Sequence, residues 1–457
     1  MSQTSLTQGD VKGALIRFAL PFLGASLLQF LYGAVDLIVV GQFDDQAGIT
    51  AVSTGSQVMQ AVTNFIIGLS TGGTVLVGQY LGAGRRGDVS RSIGTLFTLF
   101  AAIAVALALV FALSTNAIVA LMQVPAEAVA PARQYLFICA CGLVFITGYN
   151  MVSAVLRGLG DSRRPMYFVL VACVINIVGD LLLVGVFGLG AAGAAVATLI
   201  SRVFEVVVVL GCMLWGRRLP VKPGLMVRPG RIIAGDFIRY SLPVVLNEGM
   251  WSLAMSLFSI IMGHMPNSTP ILAAYTIAGN IDRMAAVALF AAGNTAAVII
   301  GREIGCGDTE EVYGKGVALN FVCFLTGVVS MGILLVIRAT LLDSFIFPLM
   351  DISAEAGDMA KMMLAFIAAI MPLRSLNLCN IVGVFRGGGD VRYALVCDVG
   401  PLYCICLPAA ALCGLVFGLG IVAVYICISL DEVCKVFLCL PRLRSGKWVN
   451  SVTRENL

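Results

Sequence analysis

Two acidic residues lie within long apolar stretches of the first half of the chain. Asp36 ends the run Tyr32-Gly-Ala-Val-Asp36, and Asp180 ends the run Asn176-Ile-Val-Gly-Asp180. A carboxylate inside a lipid-embedded helix is costly unless it is paired or hydrated, and such residues commonly mark a path for ions or substrates. Asp36 and Asp180 are therefore the first candidates for chemistry.

Asn176 and Thr198 add further oxygen atoms near these acids. Asn176 and Asp180 are four residues apart, so they share one face of a helix. With a helical rise of about 1.5 Å per residue, Asp36 lies about 8 Å from the outer end of its helix, and Asp180 and Thr198 each lie about 12 Å from the turn that joins theirs. Two carboxylates, an amide and a hydroxyl are hard ligands that suit Na⁺, and the two acids can alternatively share a proton. Na⁺ and H⁺ both stay open, and polar pairing between helices is the structural alternative.

A second group of residues can line a cleft for bulky organic cations. Aromatic rings attract cations, and methionine adapts to ligands of different shape. The polar and aromatic candidates are Gln29, Tyr32, Tyr149, Asn150, Glu248 and Trp251, with Met250 and Met255 beside them. Simple packing against protein or lipid is the alternative for each of them.

Two prolines and one further acid mark the starts of matching helices in the two halves. Pro21 and Pro243 each remove a backbone hydrogen bond, which permits a static or changeable kink. Glu248 follows Pro243 and either binds a cation or is hydrated at that kink. The remaining charges have simpler expectations. We expect Asp282 to pair with Arg283, Asp431 and Glu432 to pair with Arg202 or Lys435, and His264 to lie at the membrane interface, and we leave Asp398 unassigned.

These residues require membrane-spanning helices to position them. The chain has 457 residues, of which 59% are hydrophobic and 12% charged, and its mean hydropathy is +0.98. Lipid-embedded backbone must satisfy its own hydrogen bonds, and the apolar runs are too long and unalternating for barrel strands. We predict an all-α integral membrane protein with twelve spans. They are residues 14–40, 50–76, 92–114, 133–157, 165–187, 190–214, 235–265, 270–300, 312–338, 356–385, 391–414 and 418–440.

Basic residues are concentrated in alternate loops and at both ends of the chain. Of the 29 Lys and Arg residues, Arg133, Arg338 and Lys361 fall on the poorly charged side. Because basic loops stay in the cytoplasm, we predict that both termini are cytoplasmic and that the protein is a multi-pass protein of the plasma (inner) membrane. The polar start of the chain also predicts that there is no cleaved signal peptide.

The two halves of the chain are similar to each other. Three segments match in order, with an offset that drifts from 222 to 230 residues: Leu20-Pro21 with Leu242-Pro243, Gly82-Ala-Gly84 with Gly305-Cys-Gly307, and Val186-Phe-Gly-Leu-Gly190 with Val416-Phe-Gly-Leu-Gly420. Such parallel repeats are typical of transporters. They predict an N-terminal six-helix bundle (1–214), a cytoplasmic connector (215–234), a C-terminal six-helix bundle (235–440) and a cytoplasmic tail (441–457). The repeat partners of Asp36 and Asp180 are Phe258 and Ala409, so the fold does not require the two acids.

Several chemistries are disfavoured by what the sequence lacks. The chain has 14 Cys and one His, which leaves no Cys/His metal site, and the cysteines read as packed thiols. We find no phosphate-binding loop for ATP and no nucleophile with a base. We therefore expect no enzyme activity, no cofactor, no metal beyond Na⁺ and no nucleic-acid partner.

The chain resembles a prokaryotic member of the MATE (multidrug and toxic compound extrusion) family along essentially its full length. The resemblance rests on Leu20-Pro21 with Asp36 and Gly41, the Gly78-Gln-Tyr-Leu-Gly-Ala-Gly84 loop, Arg157-Gly-Leu-Gly-Asp161 with Pro165, and the run from Gly188 to Thr198. It implies two bundles in a V and alternating-access export of cationic, often aromatic compounds in exchange for Na⁺ or H⁺. It also implies a cation site at Asp36, Asn176, Asp180 and Thr198, with a backbone oxygen from Ala194. The tenth span departs from members that carry an acid there, since it contains Arg374 instead.

The functional prediction is a secondary antiporter for organic cations or drugs, acting as a monomer in the bilayer. A flippase for lipid-linked oligosaccharides or lipids is the alternative. It would need a strongly cationic lumen, whereas we assign only Arg202, Arg283 and Arg374 to the interior of predicted spans and the other basic residues to one side or the other. A membrane enzyme is the alternative from another class, and it lacks candidate residues.

Overall fold

The described chain is almost entirely helical. The computed structural model describes residues 11–215, 230–307, 309–350, 353–451 and 453, and within these ranges it contains no β-strand. The successive main helices of the described residues are α1 Val11–Phe43, α2 Gln46–Gly82, α3 Arg86–Leu121, α4 Val129–Gly158, α5 Arg163–Asp180, α6 Gly190–Trp215, α7 Arg231–Gly263, α8 Ser268–Cys306, α9 Thr309–Val336, α10 Ala354–Leu378, α11 Val391–Pro401 and α12 Gly420–Arg444. The prediction of an all-α protein is confirmed.

Four of these helices continue beyond the bounds given above. α5 continues as π-helix over Leu181–Val186, α9 over Ile337–Ile346 and α10 over Cys379–Phe385. α11 continues through the segments Leu402–Cys406, Leu407–Ala411 and Leu412–Val416, of which the first and last are π-helical. π-Helical turns are uncommon and break the regular spacing of side chains along a helix. The sequence did not predict them.

Each predicted membrane span corresponds to one helix. Within the described ranges, 11 helices are long and apolar enough to cross a membrane. The helix that falls outside this group is α12, which carries Asp431, Glu432 and Lys435 in its middle. α12 has the length of a span, and what sets it apart is these three charges, whose side chains are only 4–14% exposed.

The internal duplication is visible in the backbone. Glycines with positive φ occur at matching positions in the two halves, where bulkier residues would be strained. The pairs are Gly84 and Gly307 (φ 69° and 90°), Gly160 and Gly389 (88° and 76°), Gly188 and Gly418 (65° and 61°), and Gly190 and Gly420 (53° and 80°). Matching helices therefore end in the same kind of turn in the two halves. In each half, a π-helical segment also precedes the Gly-Leu-Gly turn.

The chain forms two compact units, and each is described by itself. One unit contains Met1–Ala19 and Leu242–Val452, and the other contains Leu20–Ser241 and Thr453–Leu457. The chain changes unit directly before Leu20-Pro21 and before Leu242-Pro243, which are equivalent positions of the repeat. α1 and α7 continue through these prolines. The boundary predicted within the connector stays a prediction, because residues 216–229 lie outside the described ranges.

The predicted tail begins inside the last helix. α12 runs to Arg444, and Trp448 beyond it is fully buried and donates a hydrogen bond from Nε1 to the carbonyl of Leu443 at 3.0 Å. Arg442 forms an ion pair with Asp390 at 2.7 Å. Residues 441–451 are therefore part of the packed unit and not a loose extension.

Candidate functional site: a buried carboxylate cluster on α1, α5 and α6

Three helices of one unit bring the predicted cation ligands together. Asp36 lies on α1, Asn176 and Asp180 on the last turns of α5, and Thr198 on α6. The two acids and the amide are almost completely shielded, with 3% of Asp36 and 0% of Asn176 and Asp180 exposed. The Asp36 carboxyl faces Asp180, Asn176 and Thr198. The fold thus brings four residues from distant parts of the chain to one point.

Most polar atoms of this cluster lack a well-formed hydrogen bond. Thr198 donates a hydrogen bond from its hydroxyl to Oδ2 of Asp36 at 3.1 Å. Oδ1 of Asp36, both carboxylate oxygens of Asp180 and both amide atoms of Asn176 are buried without a hydrogen bond to any residue that the structure describes. Buried polar groups nearly always have a partner, so this concentration of unsatisfied oxygens indicates a position for a cation or a proton.

Close helix packing fixes the cluster. A Cβ atom at Gly179 would lie only 3.0 Å from Cβ of Ala197, so α5 and α6 touch beside Asp180 and Thr198. Ala194 is also fully buried, one turn before Thr198 on α6. Its side chain can donate nothing, so any role at the site falls to its carbonyl oxygen, as the family resemblance implies.

The beginning of α6 is held by the end of α1. Oδ2 of Asp44 accepts a hydrogen bond from the backbone N–H of Ala191 at 2.8 Å, which satisfies one of the free N–H groups at a helix N-terminus. A Cβ atom at Gly190 would lie 2.5 Å from the same oxygen. Asp44 therefore fixes α6 against α1 from the outer side of the site.

One ion pair near the site escaped the sequence analysis. Arg202 and Glu205 on α6 are paired at 2.8 Å, and the Glu205 side chain is fully buried. Glu205 is the single acid of the strongly apolar run Val-Phe-Glu-Val-Val, and the sequence did not single it out. The expectation that Arg202 pairs with Asp431 or Glu432 was wrong, because a partner three residues along its own helix is within reach.

The cleft candidates of the first half have different environments. Tyr149 is buried and donates a hydrogen bond to the carbonyl of Pro165 at 3.4 Å, and the buried Asn150 donates to the carbonyl of Ile146 at 2.8 Å. Gln29 on α1 is half-buried. The side chain of Tyr32 lies outside the described part of the structure. Tyr149 and Asn150 are thus engaged in packing, and their proposed contact with substrate stays a prediction.

In the other unit, Glu248 has a partner that the sequence analysis did not consider. Arg386 on α10 donates two hydrogen bonds to Oε1 of Glu248, each at 3.0 Å. Trp251, one turn further along α7, is 37% exposed. The ion pair lowers the negative charge that Glu248 can offer to a cation.

Beside the buried Glu303–Lys315 pair at 2.7 Å, the remaining buried charges of this unit form two clusters. Asp282 pairs with Arg374 at 2.6 Å and not with its neighbour Arg283, so that expectation was wrong. Glu432 accepts a hydrogen bond from the Asn377 amide at 2.8 Å. The second cluster centres on Lys435, which pairs with Asp398 and with Asp431, each at 2.6 Å. The expected pairing of Asp431 with Lys435 is confirmed. Asp398, which the sequence left unassigned, is the second acid that pairs with Lys435.

Fold and site together define a multi-pass helical membrane protein whose two halves repeat one design and whose candidate functional charges are buried in its helices. The family model MatE matches residues 21–182 and 243–428, once in each half and beginning at Pro21 and Pro243. The chain belongs to this family, as its resemblance to MATE proteins predicted. Members of the family are transporters, so the protein is not an enzyme.

Similar proteins cover the whole chain. It is 25% identical to "Probable multidrug resistance protein NorM" of Thermotoga maritima over 98% of this chain and 96% of that protein. It is 23% identical to "Probable multidrug resistance protein YpnP" of Bacillus subtilis over 98% of each. The solved structure "Crystal structure of MATE in the bent conformation" matches with a TM-score of 0.89 at 21% identity, over 97% of each chain.

A transporter from Pyrococcus furiosus shows what the fold leaves open. It matches with a TM-score of 0.88 at 21% identity over 99% of this chain and 100% of its own, and it is described as one in which the reverse polarity of the binding pocket suggests a different function. The architecture is thus compatible with pockets of more than one polarity. The substrate class has to be argued from the residues of this chain.

Proposed function

We propose that the protein is a secondary antiporter that exports organic cations in exchange for Na⁺ or H⁺ by alternating access. The observation that carries the proposal is the buried cluster of Asp36, Asn176, Asp180 and Thr198, whose unsatisfied oxygens need a cation or protons. Two ionised carboxylates at one buried point repel each other and are poorly solvated, so binding of a cation or proton stabilises the cluster. Release of that ion on one side of the membrane then supplies free energy for transport.

Two further points concern the cargo: the first supports drug-like compounds, and the second supports cations. The names of the similar proteins from T. maritima and B. subtilis include "multidrug resistance". In the unit that contains Leu242–Val452, the buried and half-buried carboxylates outnumber the cations that pair with them. The members of this set are the acids Glu248, Asp282, Glu303, Asp390, Asp398, Asp431 and Glu432 and the bases Lys315, Arg374, Arg386, Lys435 and Arg442. A region with excess negative charge favours organic cations over the pyrophosphate of a lipid-linked oligosaccharide.

Transport in liposomes tests the proposal. The protein is reconstituted, a fluorescent organic cation is loaded, and its movement is followed under an imposed Na⁺ gradient or an imposed pH gradient. We expect gradient-dependent transport that falls at least about tenfold in Asp36→Asn and Asp180→Asn, because each variant removes one charge that holds the ion. The gradient that drives transport identifies the coupling ion.

The control is Asp45→Asn, an acid at the N-cap of α2 that lies away from the cluster and should retain most of the transport. Absence of transport under both gradients would contradict the antiporter and would direct attention to lipid substrates. Transport that persists in Asp36→Asn would show that the cluster is structural. The orientation with both termini cytoplasmic belongs to the same proposal and is checked by labelling single cysteines placed near each end.

A further inference from the structure

The ion pair on α6 lies directly beside the cation cluster. Arg202 follows Thr198 by four residues, so its Cα lies one helical turn, about 6 Å, towards the cytoplasmic end expected for α6. Its guanidinium interacts electrostatically with the Asp36 carboxyl and with the thiol of Cys173, which lies one turn before Asn176 on α5. A fixed positive charge therefore acts on the Asp36 carboxyl, one of the two that are proposed to bind the ion.

Within the described residues, the hydrogen-bonded partner of Glu205 is this guanidinium. The Glu205 side chain is fully buried, and its Oε2 accepts the hydrogen bond of Arg202 at 2.8 Å. Its Oε1 makes no hydrogen bond within the described part of the chain. A carboxylate in this position is expensive to bury, and its pairing with Arg202 is what offsets that cost.

The equivalent positions of the other half carry charges of the opposite sign, and there the two residues have separate partners: Glu432 bonds to Asn377, and Lys435 pairs with Asp398 and Asp431. With the offset of 230 residues that relates α6 to α12, Arg202 corresponds to Glu432 and Glu205 corresponds to Lys435. The exposures match as well, since the side chains of Arg202 and Glu432 are 15% and 14% exposed and those of Glu205 and Lys435 are 0% and 4% exposed. The fold thus accepts either sign at this depth, and the positive charge next to the cluster is not a requirement of packing.

We propose that Arg202, oriented by Glu205, is a tethered counter-cation that sets the ion affinity of the Asp36 and Asp180 cluster. This inference rests on the proposed function, because it assumes that the cluster binds an ion. The guanidinium competes electrostatically with the bound ion and so weakens its binding. When the ion has left, the same charge stabilises the empty cluster, whose two carboxylates would otherwise be unpaired in a low-dielectric surrounding. Arg202 is a positioning residue in this scheme and is not itself a ligand of the ion.

Carbodiimide labelling measures the affinity without any transport step. Dicyclohexylcarbodiimide modifies protonated carboxyl groups in apolar surroundings, and the modified residue is located by mass spectrometry of peptides. Bound Na⁺ protects the carboxyl group, so the half-protecting Na⁺ concentration reports the Na⁺ affinity. Where Na⁺ gives no protection, the pH at half-labelling reports the proton affinity of the cluster.

Opposite shifts are expected from the two members of the pair. Arg202→Gln removes the competing charge and should tighten ion binding about tenfold or more, which for protons moves half-labelling up by about one pH unit. Glu205→Gln leaves the guanidinium uncompensated and should weaken binding several-fold. Arg202→Lys keeps the charge and should stay within about threefold of the wild type.

The controls separate this inference from the proposed function. Glu432→Gln removes an equally shielded charge at the equivalent position of the other half and should leave the labelling of Asp36 unchanged. Should Arg202→Gln fold poorly, Arg202→Gln/Glu205→Gln removes the whole pair and should shift affinity in the direction of Arg202→Gln by a smaller amount. If both single variants shift affinity the same way, or neither shifts it, the pair is only structural. If neither Asp36 nor Asp180 of the wild type is labelled or protected, the proposed ion site itself fails.

Discussion

Lys435 lies between the carboxylates of Asp398 and Asp431, and its own side chain is 4% exposed. Asn247 donates a further hydrogen bond to Asp398 at 2.9 Å. A charge that bridges two others inside a membrane protein has no competing water, so its loss leaves two acids uncompensated. The ammonium group of Lys435 therefore links α12 to α11 directly, and Asn247 extends this link to α7.

Replacement of Lys435 by Gln should destabilise the protein strongly. We expect a loss of about 3–5 kcal/mol, because the variant leaves buried carboxylates without a cation. Thermal unfolding in detergent, followed by a fluorescent thiol probe or by light scattering, gives the change in apparent Tm. Lys361→Gln is the matched control, since Lys361 pairs with an Asp343 that is 63% exposed and such surface pairs contribute about 0–1 kcal/mol. Equal losses in the two variants would contradict the role of Lys435.

The sequence identifies a candidate residue where it also shows the surroundings of that residue. Asp36 and Asp180 stand out because each lies in an apolar run and lacks an acidic equivalent in the repeat. Partner choice is different, because it depends on which helices meet. Asp282 and Arg283 are adjacent, so their side chains point about 100° apart around α8, and Asp282 turns to Arg374 on α10. Adjacency along the chain was a poor guide to pairing.

At the level of elements, α6 contributes to the site through both its N-terminal end and its middle. Its N-terminus is held by Asp44, its first turns carry Ala194 and Thr198, and its middle carries the Arg202 and Glu205 pair. The bounds of α6 and the existence of the other spans followed from the sequence, because only helices satisfy the backbone in lipid, whereas helices such as α3 (Arg86–Leu121, predicted as 92–114) extend well beyond their predicted bounds. The hydrogen bond from the backbone N–H of Ala191 to Asp44 did not, since it joins residues 147 positions apart.

Asp44→Ala should loosen the start of α6. Loss of a helix N-cap costs about 1 kcal/mol, and here the change also frees the corner between α1 and α2 from α6. We expect a lower apparent Tm together with weaker ion protection of Asp36, measured on the same detergent-purified samples. Asp44→Asn keeps an acceptor oxygen and serves as the control. If Asp44→Ala has the same apparent Tm as the wild type, Asp44 does not fix α6.

At the scale of the whole molecule, the duplication provides internal controls that few proteins offer. Gly190 and Gly420 begin α6 and α12 with φ of 53° and 80°. A Cβ atom at Gly190 would meet Asp44, whereas nothing lies within 4 Å of the Cβ position at Gly420. The two glycines thus share a backbone requirement and differ in the space around them.

Alanine at these two positions separates strain from crowding. Gly420→Ala should cost about 1 kcal/mol, since it adds only the strain of positive φ. Gly190→Ala should cost more, because it also displaces the Asp44 carboxylate. The comparison uses apparent Tm and the ion protection of Asp36, which only Gly190→Ala should weaken. Identical effects of the two variants would mean that the Asp44 contact contributes little.

The ion pairs that close within α6 (Arg202–Glu205) and within α12 (Asp431–Lys435) carry their charges in opposite order, which has a consequence for the history of the protein. An ion pair that closes within one helix is neutral whichever residue carries the positive charge, so a helix with either order presents nearly the same cost to the machinery that inserts it into the bilayer. After the duplication, one copy could therefore change the order of its charges while both copies continued to insert and pack. The local electric field could diverge between the copies in this way without loss of the shared scaffold.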